Sequence, residues 1–307
     1  MKAKDGWKQL TARLKRSQHA ATLAASPRFV EVIGLYTNPA RRILIDRLKD
    51  IRPDLELLDL RPHLMHMRMI KQAPELVAIQ QAIDITLASI QDATRPARMA
   101  KYAHEYELEA EFAYGIRKRG AIGHAFHPIV AAGGNACTIH YMSNNAPLKD
   151  NELIVMDVGA EIDHYAADIT RTVVKGAATK RQRAVLETVN EVVEFGLAQL
   201  KPGISFGGCE KELRQFMGEK LRELGLIKTI DEESIRKYYP HAPHYLGLDV
   251  HDVGDYQVPM EPGMVLTIEP GIYIPEEGIG VRIEEDVLIT DDGYQLLSQK
   301  LPRVVLQ

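Results

Sequence analysis

The stretch LIVMDVGAEIDHYAADITRT, residues 153–172, contains two apolar segments separated by a polar turn. Residues 153–158 are almost wholly apolar, which predicts a strand buried on both faces. Residues 165–174 are rich in Ile, Thr and Val and predict a second, neighbouring strand. Asp157 and Asp168 interrupt this apolar context, and a buried ionised carboxylate is costly unless it is paired or bound to a metal. Two carboxylates on neighbouring strands can point at one spot, and that spot requires positive charge.

Three later motifs contain further side chains that could bind a metal ion at such a site. His244 lies in HYLGLDVHD, Glu269 closes the apolar segment MVLTIEPG, and Glu284 lies in GIGVRIEEDVLIT. Together with the two aspartates they make four carboxylates and one imidazole, a ligand set that suits Mn²⁺, Co²⁺, Zn²⁺ or Fe²⁺. Five side chains are too many for one catalytic ion that keeps an open position. They fit two ions that share a water or hydroxide, about 3.5–4 Å apart.

These motifs resemble those of the pita-bread metallopeptidases, in particular the aminopeptidase P (Xaa-Pro aminopeptidase) family. The resemblance rests on DVGAEIDHYAADITRT, HYLGLDVHD, TIEPG and VRIEED, and it runs from about residue 68 to the C-terminus. It implies an α+β fold, with a pita-bread catalytic domain of two pseudo-symmetric αβ halves over residues 68–307. Residues 1–67 are expected to form a small, partial α/β N-terminal domain, shorter than that of the family.

The resemblance also implies a role for each ligand. Asp157 is expected to hold one ion through both oxygens, Asp168 and Glu284 to bridge the two ions, and His244 and Glu269 to complete the second. The implied cofactor is a pair of divalent ions, Mn²⁺ first, with Co²⁺ or Zn²⁺ as alternatives. Because bound metal can lower the pKa of water to about 7, a bridging hydroxide is the expected nucleophile. The sequence has no G-x-S-x-G motif that would supply a serine instead.

Four further residues are candidates for catalysis on the family pattern. His140, in CTIHY, is expected to stabilise the oxyanion, and His251, in LDVHD, to contact substrate and transfer a proton. Arg282 lies two residues before the last metal carboxylate, on the same strand face, and can hold a ligand carboxylate or reach substrate. His241 precedes the metal histidine by three residues, in PHAPH, whereas the family spacing is four. Either the loop lacks one residue relative to the family, or His241 does not make the usual contact with oxyanion or substrate.

The implied activity is removal of an N-terminal residue that precedes proline, by hydrolysis of a tertiary amide that ordinary peptidases fit poorly. Two alternatives stay open. Prolidase, which cleaves only Xaa-Pro dipeptides, has nearly the same ligands. Some pita-bread domains have lost their ligands and only bind peptides or proteins; the complete ligand set favours an active enzyme here.

Composition limits the other classes of function. The chain has 307 residues and a formal net charge of -4, so it has no basic footprint for nucleic acid. No apolar run approaches the ~20 residues of a membrane span, and the charged N-terminus has no signal-peptide core. Cys137 and Cys209 are the only cysteines, which indicates no disulfide framework and favours the cytoplasm. Peptides with proline in second position are the expected partners, and the resemblance implies a homo-oligomer, either a dimer or a tetramer.

Periodicity predicts two helices followed by strands, twice over, after the N-terminal piece. In the first 67 residues we expect helices at 5–24 and 40–49 and strands at 29–36 and 55–60. Beyond them, helices are expected at 75–93, 104–120, 180–200 and 209–224. The expected strands are 126–131, 137–141, 153–158, 165–174, a segment near 250, 264–269, 281–290 and 295–297. The repeated order indicates two related halves around a cleft.

Overall fold

The structure is a computed structural model and describes residues 3–22, 39–239 and 243–304. The chain divides into two compact units between Met67 and Arg68. The predicted strand at 29–36 and the candidate residue His241 lie outside the described residues. Within the described ranges, no helix combines the length and the apolar character that a membrane crossing requires.

The N-terminal unit pairs two short parallel strands and two helices. Its elements are α1 (Ala3–Leu14), β1 (His19–Thr22), α2 (Pro39–Ile51) and β2 (Glu56–Asp59). The two strands pair in parallel, with His19 opposite Glu56, and Leu14, Leu48 and Leu55 form a small core. The predicted helix at 5–24 was therefore wrong over residues 15–22. The residues of β1 alternate between exposed and half-buried, which is the period of a strand and not of a helix.

A helix that the sequence analysis missed, α3 (Arg61–Met69), follows directly and contains the division between the units. Arg61-Pro62 looked like a breaker, but proline is well accommodated in the first turn of a helix, where its missing N–H costs nothing. The carboxylate of Asp59 accepts the backbone N–H of Arg61 at 3.0 Å. Pro62 thus begins a helix here rather than ending a strand.

The first half of the larger unit packs helices against two antiparallel sheets. Its helices are α4 (Ala73–Ala93), α5 (Pro96–Met99) and α6 (Glu105–Lys118). Its strands are β3 (Gly123–His124), β4 (Ile129–Ala132), β5 (Glu152–Val158), β6 (Ala160–Ile162), β7 (Tyr165–Ala166) and β8 (Ile169–Lys175). The strand orders are β4-β5-β8 and β3-β6-β7. The stripe of α4 that the sequence predicted, including Ile79, Ile83 and Leu87, is buried in the main core with Phe112 of α6.

The second half repeats the order of helices and then strands. Its helices are α7 (Lys180–Gln199), α8 (Phe206–Glu223) and α9 (Glu232–Tyr238). Its strands are β9 (Val265–Ile268), β10 (Gly271–Ile274), β11 (Ile279–Arg282), β12 (Glu285–Ile289) and β13 (Tyr294–Leu296). They form the sheets β13-β12-β9 and β10-β11. The helices begin at capping side chains, Thr179, Ser205 and Asp231, each of which accepts a backbone N–H. The α+β class is confirmed.

Four predicted strands differ from the structure, and all lie beside the site. The strand predicted at 165–174 is divided, since β7 ends at Ala166 and β8 begins at Ile169 in another sheet. Residues 137–141 are not a strand; a 3₁₀ turn, Gly133–Cys137, precedes an irregular loop. The segment near 250 is also a loop, folded back by a hydrogen bond from the Asp252 N–H to the Tyr245 carbonyl at 2.9 Å. The predicted strand 281–290 is two strands. It breaks because the Glu284 N–H donates to the Thr170 carbonyl at 3.1 Å instead of continuing the pairing with β10.

Candidate metal centre and substrate cleft

The first two carboxylates come from one pair of strands. β5 and β8 pair antiparallel, as the sequence predicted, and Asp157 lies opposite Thr170. Asp168 lies just before β8, after the hairpin of β6 and β7. Strand β6 lies where the sequence predicted a polar turn, and β7 lies at the start of the predicted strand 165–174. A Cβ at Gly159 would lie 1.8 Å from the Ala167 carbonyl oxygen. Only glycine permits that approach, which brings the chain bearing Asp168 back beside the end of β5.

The second half of the domain contributes the other three side chains. Glu269 follows β9, Glu284 lies in the break between β11 and β12, and His244 lies in the loop that leads to β9. The Nε2 atom of His244 is 3.5 Å from an Asp168 oxygen, 3.4 Å from a Glu269 oxygen and 3.9 Å from a Glu284 oxygen. Candidate ligand atoms of Asp168, His244 and Glu284 all lie within 4.8 Å of one another. Residues far apart in the chain thus converge on one point.

The convergent carboxylates have oxygens without partners. Among the described residues, nothing donates a hydrogen bond to Oδ1 of Asp157, Oδ1 of Asp168 or Oε1 of Glu284, although all three atoms are buried. Buried polar atoms are nearly always satisfied, so such a cluster needs an explanation. Burial, and then the neighbouring carboxylates, raise the pKa of Asp168 and of Glu284 well above their ordinary values. Oxygen ligands that lack a cation fit a divalent-metal site.

The imidazole of His244 is oriented as a metal ligand would be. Its Nδ1 lies 3.0 Å from the Tyr245 carbonyl, and an Nδ1–H donated there leaves the Nε2 lone pair facing the carboxylates. The ring of His251 packs against it edge-on, with the ring centroids 4.4 Å apart. Partial burial of His251, and then the neighbouring His244, lower the pKa of His251. A neutral imidazole is a proton acceptor at neutral pH.

Arg282 is buried and makes three hydrogen bonds beside the centre. Its guanidinium donates to Oδ2 of Asp157 at 2.6 Å, to the Tyr273 hydroxyl at 2.8 Å and to the Thr170 hydroxyl at 3.2 Å. Thr170 in turn donates to Oε2 of Glu284 at 2.7 Å. Of the two roles expected for Arg282, the contact with Asp157 agrees with the first, because the guanidinium holds a carboxylate of the cluster. This chain of donors occupies one oxygen of Asp157 and one of Glu284 and leaves the other oxygen of each toward the cluster.

A salt-bridge cluster anchors the loop that carries His244 and His251. Asp252, directly after His251, is buried and accepts from the Lys71 ammonium at 3.2 Å. It also pairs with Arg68, which reaches Asp249 as well at 2.6 Å. Burial lowers the pKa of Lys71. Asp249 and Asp252 therefore anchor the loop through ion pairs and do not join the carboxylate cluster.

The cluster lies at the base of a cleft of about 870 Å³. All five candidate ligands line this cleft, and His140, His251 and Arg282 line it as well. Aromatic and aliphatic side chains complete the lining, among them Phe126, Met142, Phe206 and Tyr256. The structure therefore brings every described candidate residue to a single cavity.

Sequence reasoning missed several residues that contact the centre. Thr170 could have been found, because the antiparallel register places it opposite Asp157. Tyr273 and Asp286 gave no signal: Tyr273 comes from β10, and Asp286 accepts the Asp168 N–H at 3.1 Å from β12. Burial raises the pKa of Tyr273 to about 12. Such contacts depend on how separate strands pack and not on local pattern.

A cluster of carboxylates and one histidine, set in a cleft between two halves of an α+β domain, has the side-chain chemistry of a divalent-metal site. The model of metallopeptidase family M24 matches residues 77–291. The chain belongs to this family, and the pita-bread fold expected from the sequence is confirmed by the solved structures it resembles.

The chain is similar to proteins of known name. It is 38% identical over 269 residues to the Xaa-Pro aminopeptidase of Haemophilus influenzae, covering 81% of this chain and 62% of the relative. It thus spans less than two thirds of that protein's length. Proline aminopeptidase P II from Yersinia pestis superposes with a TM-score of 0.83 at 33% identity, covering 97% of this chain and 72% of that one. Zn-substituted Escherichia coli aminopeptidase P in complex with product gives a TM-score of 0.82 at 31% identity, covering 97% and 71%.

Proposed function

We propose that this chain is a dinuclear metal-dependent aminopeptidase that hydrolyses the peptide bond between an N-terminal residue and a following proline. The observation that carries the proposal is the convergence of Asp168 and Glu284 on the His244 imidazole, since each of these carboxylates has one buried oxygen to which no described residue donates. The names of the similar proteins supply the substrate class. The proposal assigns the metal to Asp157, Asp168, His244, Glu269 and Glu284.

The surroundings of each carboxylate support a division of roles. Asp168 has one oxygen without a donor and the other 3.5 Å from His244, which suits a bridging ligand. Glu284 has one oxygen held by Thr170 and the other toward the cluster, so Thr170 fixes its orientation. Arg282 does the same for Asp157. When bound, two divalent ions supply a water of lowered pKa as the nucleophile.

The cleft walls supply the groups that would act on the substrate. His140 is exposed in the cleft and can donate to the carbonyl oxygen as negative charge develops there. His251, whose pKa is lowered by partial burial and by the neighbouring His244, packs against that ring and can accept a proton from the nucleophile and return it to the leaving nitrogen. The aromatic side chains of Phe206 and Tyr256 offer an apolar surface for a proline ring. His241 is expected to assist on the same side, and it lies outside the described residues.

Three finer assignments rest on ligand chemistry or on the family resemblance. Carboxylate oxygens with a single imidazole suit Mn²⁺ better than a thiolate-seeking ion, so Mn²⁺ is proposed, with Co²⁺ or Zn²⁺ as alternatives. Assembly into a homodimer and a cytoplasmic location stay predictions.

The test compares peptide hydrolysis by metal-stripped protein with and without added Mn²⁺. An Xaa-Pro-Yaa tripeptide and an Xaa-Pro dipeptide are offered separately. We expect metal-dependent release of the first residue from the tripeptide. Asp168→Asn should lower kcat/KM by at least ~10²-fold, because it removes a proposed bridging ligand.

The matched control is Asp163→Asn, the same change of side chain on the β6–β7 hairpin. Asp163 is exposed and adopts a φ of 49°, which asparagine tolerates, so its activity should equal that of the unchanged protein. Cleavage of the dipeptide alone would identify a prolidase instead. Tight Mn²⁺ binding without cleavage of either peptide would leave a binding protein.

A further inference from the structure

Glu105 is a fully buried carboxylate outside the metal cluster. It lies in the first turn of α6 and has no exposed surface. Among the described residues, no lysine, arginine or histidine forms an ion pair with it. A buried charge is tolerated only when its oxygens are hydrogen-bonded, and the donors to Glu105 are therefore informative.

Four groups donate hydrogen bonds to the Glu105 carboxylate, and all four belong to the segment 132–146. Oε1 accepts the Ala132 N–H at 2.8 Å and the Asn135 amide at 3.1 Å. Oε2 accepts the Tyr141 hydroxyl at 2.8 Å and the Ala146 N–H at 2.8 Å. The segment thus touches Glu105 at its start, at its middle and at its end. A carboxylate is the side chain that accepts at all four positions, because an amide would present its own N–H groups to two of these donors.

The segment between these anchors forms a wall of the cleft. Residues 138–146 contain no helix or strand, yet Ile139, His140 and Met142 all line the cavity. His140 directly precedes Tyr141, the anchor in the middle. Asn144 adds a second attachment, because it accepts the Val130 N–H at 3.0 Å and donates to Glu109, one turn along α6, at 2.9 Å. Without regular structure of its own, the loop takes its conformation from α6.

We propose that Glu105 is a positioning residue of the active site, which acts through the loop 133–146 to hold the His140 imidazole against the substrate. This inference rests on the proposed function, since it gives His140 a substrate to meet. A displacement of about 1 Å in a catalytic group can cost 10²-fold in rate, so removal of the central acceptor should be visible in catalysis although Glu105 touches neither metal ligand nor substrate.

The experiment is a double-mutant cycle with Glu105→Gln, His140→Ala and their combination. Glu105→Gln should lower kcat/KM about 10- to 100-fold, mainly through kcat, with Mn²⁺ affinity by calorimetry unchanged. In the His140→Ala background the same change should cost less than about threefold, because coupled residues are not additive. An undiminished cost in that background would overturn the proposal, as would full activity of Glu105→Gln.

Glu107→Gln is the matched control. Glu107 lies in the same turn of α6 and accepts the backbone N–H groups of residues 103 and 104. The substitution therefore removes the same charge as Glu105→Gln but no hydrogen bond to the loop 133–146. It should leave kcat unchanged. Tyr141→Phe removes a single donor to Glu105 and replaces Glu105→Gln in the test if that variant does not fold. Its loss of kcat/KM should be smaller and should also disappear in the His140→Ala background.

A second readout does not depend on activity. In protein labelled with ¹³C at histidine Cε1, the His140 resonance is identified by its absence in His140→Ala. It should move or broaden in Glu105→Gln and Tyr141→Phe and stay in place in Glu107→Gln. If the wild type cleaves no Xaa-Pro peptide but the resonance behaves this way, the positioning role stands and the proposed substrate fails. An unmoved resonance overturns the positioning role whatever the substrate.

Discussion

Glu284 and Glu285 are neighbours in the chain, and both are buried, with 2% and 1% of their surface exposed. Their surroundings are opposite. Glu285 receives the Arg171 guanidinium at 3.0 Å, the Arg303 guanidinium at 3.3 Å and the Ser298 hydroxyl. Of the residues that the structure describes, only Thr170 donates a hydrogen bond to the Glu284 side chain, through its hydroxyl. The other oxygen of Glu284 faces Asp168, Glu269 and His244.

The difference shows that burial of a carboxylate does not by itself mark a functional site. Successive residues of an extended chain point to opposite faces, so one of this pair enters the core between the sheets and the other enters the cleft. The core supplies its own cations to Glu285. No described arginine or lysine reaches the free oxygen of Glu284, and this absence is what points to an external cation.

The largest effect is expected from Glu284→Gln. Loss of a proposed bridging ligand should lower kcat/KM on an Xaa-Pro-Yaa peptide by about 10³-fold, several kcal/mol of transition-state stabilisation. In metal-free protein the free energy of unfolding should not fall, because the change relieves repulsion among buried carboxylates. Steady-state kinetics and urea unfolding in chelator measure the two quantities. A destabilised Glu284→Gln protein would show that Glu284, like Glu285, is already stabilised by charged groups of the protein itself.

Glu285→Gln should act in the opposite way, on stability. It leaves Arg171, which is completely buried, without its carboxylate, and breaking a buried pair costs about 3–5 kcal/mol. Urea unfolding of metal-free protein would measure this loss of free energy.

The control for that variant replaces both partners. Glu285→Leu combined with Arg171→Met removes the buried charges together and should recover most of the lost stability. A Glu285→Gln protein as stable as the wild type would mean that the backbone carbonyls of Thr170, Glu284 and Leu301 already suffice to hold the Arg171 guanidinium.

The smallest effect concerns a third carboxylate, Glu75, which receives neutral donors. The Tyr165 hydroxyl donates to it at 2.8 Å. Burial, and then Glu75, raise the pKa of the Tyr165 phenol to about 12. A raised pKa in the folded state contributes stability that is complete below the unfolded value of about 10. That contribution is lost as the pH rises through 10 to 12.

Tyr165→Phe should therefore cost about 0.5–1.5 kcal/mol of unfolding free energy at pH 8. The gap between the two proteins should close as the pH rises toward 12. Urea unfolding at pH 8, 9, 10 and 11 follows it, with the exposed Tyr294 changed to Phe as the control. A gap that stays constant across this range would show that the hydrogen bond, and not the ionisation, sets the difference.

Much of the candidate site could be predicted because its residues contradict their surroundings. Asp157 and Asp168 stand in apolar strands, and Glu269 ends one, which signals a special role without any knowledge of the fold. The helical stripe of α4 was predictable in the same way, from its period. The N-terminal helix was overextended and α3 was missed, because short segments such as β1 depend on a partner strand distant in sequence.

The sequence by itself determined the type of chemistry: which side chains can bind metal, on which kinds of element they lie, and that two helix-then-strand halves enclose them. The tertiary structure decided which buried charges are already neutralised. Nothing local indicates that Arg171 neutralises Glu285, or that Glu105 anchors a loop through Ala132, Tyr141 and Ala146. The physical reason is that local pattern reports burial and period, whereas the partner of a buried charge comes from whichever strand or loop packs against it.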